Sequence, residues 1–209
     1  MSALRGIVLA AGTGRRMGGP KVLLTLDGHP LIRLHVARLL EVGCASVTIV
    51  VRPEAEGRVR DLLSAFVRPA VELVAVCTEA QSESLDAALR HMHCARTDTL
   101  IVTPIDLLPA EVTTHRVLQA ALGATIVAAT PMHAGRGGHP VVVRRAALEP
   151  SELPPLRTLL RALGPARVRI AVADEKILGD FDRPRDLRPR RPARGWASRI
   201  KCVVEGVGE

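Results

Sequence analysis

Four glycines and three cations fall within ten residues in Gly12-Thr13-Gly14-Arg15-Arg16-Met17-Gly18-Gly19-Pro20-Lys21, directly after the apolar run Leu9-Ala10-Ala11. A backbone without side chains can approach an anion closely and turn several N–H groups toward it. Arg16 and Lys21 carry the charge that a triphosphate requires. The spacing fits neither common phosphate motif: Gly12-x-Gly14-x-x runs into Met17, and no Gly-Lys-Ser/Thr follows Gly14. A glycine-rich turn with incidental basic residues is the plain structural alternative. Asp106 follows the strand-like Thr99 to Thr103, and a carboxylate placed there can hold a hard cation that bridges phosphate oxygens. Its alternative is a turn or cap residue before a helix starting near Ala110. No Ser/His/Asp or Cys/His constellation stands out. His91, His93 and Cys94 could be read as metal ligands, but positions two apart diverge on a helix.

Such residues need elements to carry them. Gly6 to Ala10, Ser46 to Val51, Val71 to Val76, Thr99 to Thr103 and Thr125 to Ala129 read as strands, most of them buried on both faces. Between them Leu31, Leu34, Leu39 and Leu40, then Val59, Leu62, Leu63 and Phe66, then Val117, Leu118, Ala121 and Leu122 recur at helical spacing. A strand over His139 to Val143, a helix near Leu156 to Leu163 and a strand near Val168 to Val172 follow. The alternation predicts one α/β domain, Rossmann-like, with a mostly parallel sheet and helices on both faces. Ligands on such sheets bind beyond the carboxyl ends of the strands, so site residues should follow strands.

The first segment resembles the N-terminal signature of the molybdenum cofactor and sugar-phosphate nucleotidyltransferases, Leu-Ala-Ala-Gly-x-x-x-Arg-Met-Gly with Pro20-Lys21 just after and Leu23, Leu24, Gly28, Pro30 and Leu31 continuing it. The short spacing from Met17 to Lys21 and the paired alanines are most similar to the molybdenum cofactor cytidylyltransferases; guanylyl-transferring relatives usually show a second glycine at the place of Ala11. The resemblance extends over about residues 5 to 187. It implies catalytic roles for Arg16, Lys21 and Asp106, and nucleotide contacts from Leu9, Ala10, Ala11, Gly12, Thr13, Gly14 and Arg15. Gln81-Ser82-Glu83-Ser84-Leu85 is similar to a family segment that opens a helix and contacts the nucleobase, which implies that role for Gln81, Ser82 and Ser84; helix capping by either serine is the alternative. Gly135-Arg136-Gly137-Gly138-His139-Pro140 looks like the acceptor-side segment, with Arg136, Gly138 and His139 toward the acceptor, or else a hairpin loop. Asp180-Phe181-Asp182-Arg183-Pro184-Arg185-Asp186 resembles the closing Asp-x-Asp-Thr-Pro-Glu-Asp, so that Asp182 joins Asp106 on Mg²⁺. Two departures stand out. Arg183 and Arg185 replace Thr and Glu, and Asp106-Leu107-Leu108-Pro109 replaces the usual Asp-x-Pro.

Composition removes other classes. Residues 183–209 hold 8 Lys and Arg against 3 Asp and Glu, or +5 of the total +8, which leaves +3 for the rest. The basic surplus therefore belongs to a tail, and residues 188–209 are expected to be flexible, outside a nucleotidyltransferase domain of residues 1–187. With no Tyr, two Phe and one Trp the chain lacks stacking residues, so specific nucleic-acid binding is not expected. No apolar run reaches the roughly 18 residues of a membrane span, and no signal peptide is read at Met1 to Gly6, which points to a cytoplasmic protein. The four cysteines form no framework and read as reduced, mostly buried thiols.

The expected reaction is transfer of CMP from CTP to a molybdopterin-type cofactor, with Mg²⁺ and release of pyrophosphate. A phosphorylated acceptor is already largely ionised near neutral pH, its second pKa being about 6, so no general base is required. A molybdoenzyme receiving the product is the implied protein partner. Competing expectations are a sugar- or polyol-phosphate acceptor, and a noncatalytic nucleotide- or cofactor-binding chaperone that binds CTP without releasing pyrophosphate.

Overall fold

The computed structural model describes residues 2–14, 18–66, 70–148, 153–179 and 181. Strands β1 (Leu4–Ala10), β4 (Ser46–Val51), β5 (Val71–Ala75), β6 (Thr99–Pro104), β7 (Ala128–His133), β8 (Arg136–Gly137), β9 (Val141–Arg144) and β10 (Arg167–Ala171) form an eight-stranded sheet. Its order is β10-β7-β9-β6-β1-β4-β5, with β8 on β7. A two-stranded hairpin, β2 (Thr25–Leu26) and β3 (His29–Pro30), stands apart. The helices are α1 (Leu31–Glu41), α2 (Pro53–Leu62), α3 (Gln81–His91), α4 (Val112–Ala120) and α5 (Leu156–Ala162).

Alternation along the strands divides the core in two. Val8, Ala10, Val47, Ile49, Val51, Ile101, Ala129 and Val142 pack with α1, α2 and α4. Their neighbours Ile7, Leu9, Val50, Leu100, Val102, Ala128, Val141 and Val143 pack with α3 and α5. Helices therefore cover both faces, as expected, and strands buried on both sides read as continuous apolar runs. The strands β1, β4, β5 and β6 pair in parallel, whereas β9 runs antiparallel between β6 and β7. From β1 the chain moves outward to β4 and β5, then returns to β6 on the other side of β1. That reversal sets the carboxyl ends of β1 and β6 side by side, with Leu9 in register with Pro104, and open α/β sheets bind ligands in the crevice outside such ends.

Three sequence expectations need correction. Strand β7 begins at Ala128 rather than Thr125 and runs on to His133. The β-branched Thr125 and Ile126 instead turn the chain after α4, with Gly123 N–H donating to the Ile126 carbonyl at 3.0 Å, and lateral pairing with β9 starts only at Ala128. The helix expected near Ala110 starts at Val112. Of the thiols, Cys44 is buried and its pKa is pushed up to about 12 by burial, but Cys77 is exposed and Cys94 half-buried. Both of the latter lie in the irregular ends flanking α3, where packing is one-sided. Among the described residues no helix is long and apolar enough to cross a membrane. The proposed tail at 188–209 lies outside the described residues.

Two polar clusters fix the elements that frame the crevice. Asp98, before β6, accepts from Ala3 N–H at 2.9 Å, Ala95 N–H at 3.1 Å and Arg5 Nε at 2.8 Å. It thereby ties the starts of β1 and β6 together. Burial opposes its ionisation, yet these donors hold the carboxyl below the usual aspartate range. At the opposite end, α1 and α4 close over the loop that follows β6. His35 bonds the Leu107 carbonyl at 2.8 Å, Arg38 donates to the Ala110 carbonyl at 3.0 Å, and His115 Nδ1 bonds the Glu111 carbonyl at 2.9 Å. Burial lowers both histidines to about 4.

Asp98→Ala should strip one buried carboxylate from three donors and lower stability by roughly 3 kcal/mol in urea unfolding; a change below about 0.5 kcal/mol would contradict the anchor. For the histidines the folded pKa lies below the unfolded value of about 6.5, so between about pH 6.5 and 4 only the unfolded chain takes up the proton. Stability should therefore fall as pH falls through this window, by about 1.4 kcal/mol per pH unit for each histidine. In unfolding measured from pH 7 to 4.5, His115→Gln should flatten the slope by one such share. An unchanged slope would show that His115 is not buried neutral.

Candidate active site at the carboxyl ends of β1 and β6

The side chains of Leu9, Ala10 and Ala11 are 7%, 1% and 3% exposed and belong to the two cores. Any ligand contact here must use their backbone. Beyond them Gly12 is exposed, with open space where a Cβ would stand, while Thr13 and Gly14 are half-exposed. Gly14 adopts φ +60, and a Cβ on it would lie 1.9 Å from the Gly19 carbonyl, so only glycine fits this close approach. Arg15 and Arg16 lie outside the described residues.

Lys21 opens a single 3-10 turn, Lys21–Leu23, whose Val22 is fully buried. Leu31 N–H, at the start of α1, donates to the Leu24 carbonyl at 2.8 Å and docks this turn. The Lys21 ammonium consequently reaches Asp106, with Nζ 2.9 Å from Oδ2. The two side chains are 14% and 25% exposed, so the pair sits at the rim rather than in the core.

Asp106 is held through its backbone. Ile105 N–H donates to the Leu9 carbonyl at 3.1 Å, and Phe181 N–H donates to the Asp106 carbonyl at 2.7 Å. The second contact brings the middle residue of Asp180-Phe181-Asp182 against the Asp106 loop, although Asp182 itself lies outside the described residues. Asp106 does not cap α4. Asp174 instead braces the start of that helix: its Oδ2 accepts from the N–H of Glu111, the residue before it, at 2.7 Å and from Thr114 Oγ1 at 2.9 Å. No group of three or more His, Cys, Asp or Glu that could hold a metal occurs among the described residues, His91, His93 and Cys94 included. The donor set is thus one rim carboxylate beside a cation. It fits an ion such as Mg²⁺, which keeps several waters and takes one or two carboxylates plus substrate phosphates, better than a metal in an all-protein cage.

In the segment expected to face the acceptor, a Cβ on Gly138 would lie 2.2 Å from the Ile177 carbonyl, so this glycine permits close packing of residues 174–179. His139 N–H donates to the same carbonyl at 3.2 Å. Its ring is driven below the ordinary histidine pKa by burial, against the opposing charge of Asp106 and a hydrogen bond with the Val102 carbonyl. The ring is therefore neutral at pH 7 and close enough to sense Asp106; its Nδ1 is buried without a partner among the described residues. Arg136 is exposed on β8. Over the other rim, Gln81 is exposed and Ser82 half-buried at the start of α3. Ser84 is buried and its hydroxyl bonds Thr78 Oγ1 at 2.6 Å, which commits it to local structure. Neither serine caps α3: Glu83 reaches back to Glu79 N–H at 2.9 Å and Ala80 N–H at 3.4 Å.

Four residues with a part in this geometry were missed from the sequence: His35, Arg38, Thr78 and Asp174. Three act on backbone 63 to 72 positions away, and such contacts leave no local signature. Only Thr78, 6 residues before Ser84, offered a local hint.

Residues 6–177 match the model of the MobA-like NTP transferase domain. Over 59 residues the chain is 48% identical to a protein named probable molybdenum cofactor guanylyltransferase from Opitutus terrae; the match takes in 28% of this chain and 29% of that relative's length. Among solved structures, Rv0371c from Mycobacterium tuberculosis in complex with manganese superposes with a TM-score of 0.71 at 23% identity, over 90% of this chain and 97% of that one. A putative glucose-1-phosphate thymidylyltransferase from Bacillus anthracis gives 0.72 at 14% identity, over 97% and 95%. These structures share the fold, and the domain match over most of the chain shows that this protein belongs to the MobA-like NTP transferase family.

Proposed function

We propose that the protein is a nucleotidyltransferase that transfers CMP from CTP to a molybdopterin-type phosphorylated cofactor, releasing pyrophosphate in the cytoplasm. The single observation carrying this reading is the Lys21–Asp106 pair beside the glycine loop, a cation and a carboxylate set where a polyphosphate and its metal would meet. An ionised phosphate acceptor needs no base. What the reaction needs is two anions held in line and the charge on departing pyrophosphate neutralised. In this reading Lys21 exchanges its carboxylate partner for a phosphate oxygen, Gly12 and Gly14 admit the triphosphate against backbone N–H groups, and Arg136 donates to the acceptor phosphate, the one N–H of the neutral His139 ring being engaged by the Val102 carbonyl. Asp106, with Asp182, would hold Mg²⁺, which supplies positive charge to the phosphate oxygens. The manganese bound to the Mycobacterium tuberculosis protein supports a divalent cation.

Cytidylyl rather than guanylyl transfer rests on Ala11, whose buried methyl stands where a second glycine marks guanylyl-transferring relatives. The relative named a guanylyltransferase favours the second reading, GMP transfer from GTP to the same acceptor.

A pyrophosphate-release assay across four NTPs and a panel of phosphorylated acceptors tests both. CTP with a molybdopterin acceptor should give the highest rate, Lys21→Ala should lower it at least about 100-fold, and Asp106→Asn should raise the Mg²⁺ needed for half-activation. Full turnover in a folded Lys21→Ala protein would overturn the reading, and preference for GTP would select the second one.

A further inference from the structure

The loop from Ile105 to Glu111 carries Asp106 yet has little regular pairing of its own. Its shape is imposed from outside. The Asp106 carbonyl accepts from Phe181, that of Leu107 bonds His35, that of Ala110 accepts from Arg38, and that of Glu111 meets His115. His35 and Arg38 are three apart on α1 and so share a face. The first turn of α1 also docks the Lys21 segment, through Leu31 N–H and the Leu24 carbonyl. One rigid helix therefore sets both members of the Lys21–Asp106 pair.

We propose that His35 and Arg38 are positioning residues that aim the Asp106 carboxylate at its divalent cation by gripping the loop carbonyls on either side of Pro109. His35 is only 1% exposed, and a carbonyl partner can only accept, so Nε2 carries the proton. Burial keeps the ring neutral, in the form that donates from one nitrogen. A buried polar ring and a half-buried guanidinium are costly fillings for a helix–loop contact unless the carbonyls require them. Leucine in their place would pack but leave the loop free to rotate Asp106 off its line. The proposal rests on the metal role given to Asp106 above.

The test uses the full chain and Mn²⁺ as the probe, its binding followed by electron paramagnetic resonance with a non-hydrolysable NTP present, alongside melting temperatures. His35→Leu should weaken Mn²⁺ about tenfold or more, the range typical of residues that orient metal ligands. His35→Gln, which keeps a donor near the Nε2 position, should recover most of that loss, and Arg38→Met should weaken Mn²⁺ in the same direction. A lower melting temperature with wild-type Mn²⁺ affinity in His35→Leu would reduce the brace to plain structure and overturn the proposal. If His35→Leu does not fold, unchanged affinity in folded Arg38→Met overturns it equally. Asp106→Asn separates the two levels: no loss of Mn²⁺ there removes the metal role itself, whereas loss there with unaffected His35 and Arg38 variants removes only the positioning.

Discussion

Between Lys21 Nζ and Asp106 Oδ2 lie 2.9 Å of space and 85 residues of chain. An ammonium and a carboxylate at a solvent-lined rim gain little from each other in free energy. Their significance is geometric. Each is the polar end of an anchored segment: by buried Val22 and partly buried Leu24 on one side, by buried Ile105 and Leu107 on the other. The pair reports that two otherwise independent loops meet above the β1/β6 boundary. It also balances the site electrically, because a lone carboxylate there would repel the polyphosphate of the proposed reaction.

Everything that brings the two together follows from strand order. With β1 between β4 and β6 in parallel register, its outgoing loop and that of β6 emerge on one edge. The antiparallel β9 enters beyond β6 and turns the His139 loop toward the same edge. Residues 174–179 and Phe181 then bind the parts: Asp174 braces the start of α4, the Ile177 carbonyl accepts from His139 N–H, and Phe181 N–H meets the Asp106 carbonyl. Gly138 is required by this segment, since a side chain there would strike Ile177. A residue placed in the sequence beside the acceptor thus also has a packing role in the structure.

Much of the fold was legible because strands such as Val47 to Val51 and Thr99 to Val102 are buried on both faces and leave continuous apolar runs. The two-residue strands β2, β3 and β8 are too short to show any period, and Pro131 and Met132 hid the true reach of β7. At the site, the glycines, Lys21 and Asp106 could be named because residue type and position after a strand carry the chemistry. The support around Asp106 could not be named. His35 looks like any residue on an apolar helix face, and Asp174 looks like a loop aspartate until α4 is found beside it. Ser84 carries a second role that its position did not show: its hydroxyl, at a helix start, bonds Thr78 Oγ1. Arg16 and Asp182, both singled out by motif, fall outside the described residues.

The central claim is that a divalent cation and a triphosphate meet where Lys21 and Asp106 now meet each other. A crystal structure with Mn²⁺ and a non-hydrolysable CTP analogue, read by the anomalous signal of manganese, tests it most directly. The account predicts a peak within about 2.5 Å of an Asp106 carboxylate oxygen, with Lys21 turned onto phosphate and the triphosphate lying along Gly12 to Gly14. A nucleotide bound in that crevice with manganese elsewhere, and the Lys21–Asp106 pair intact beneath it, would contradict the account.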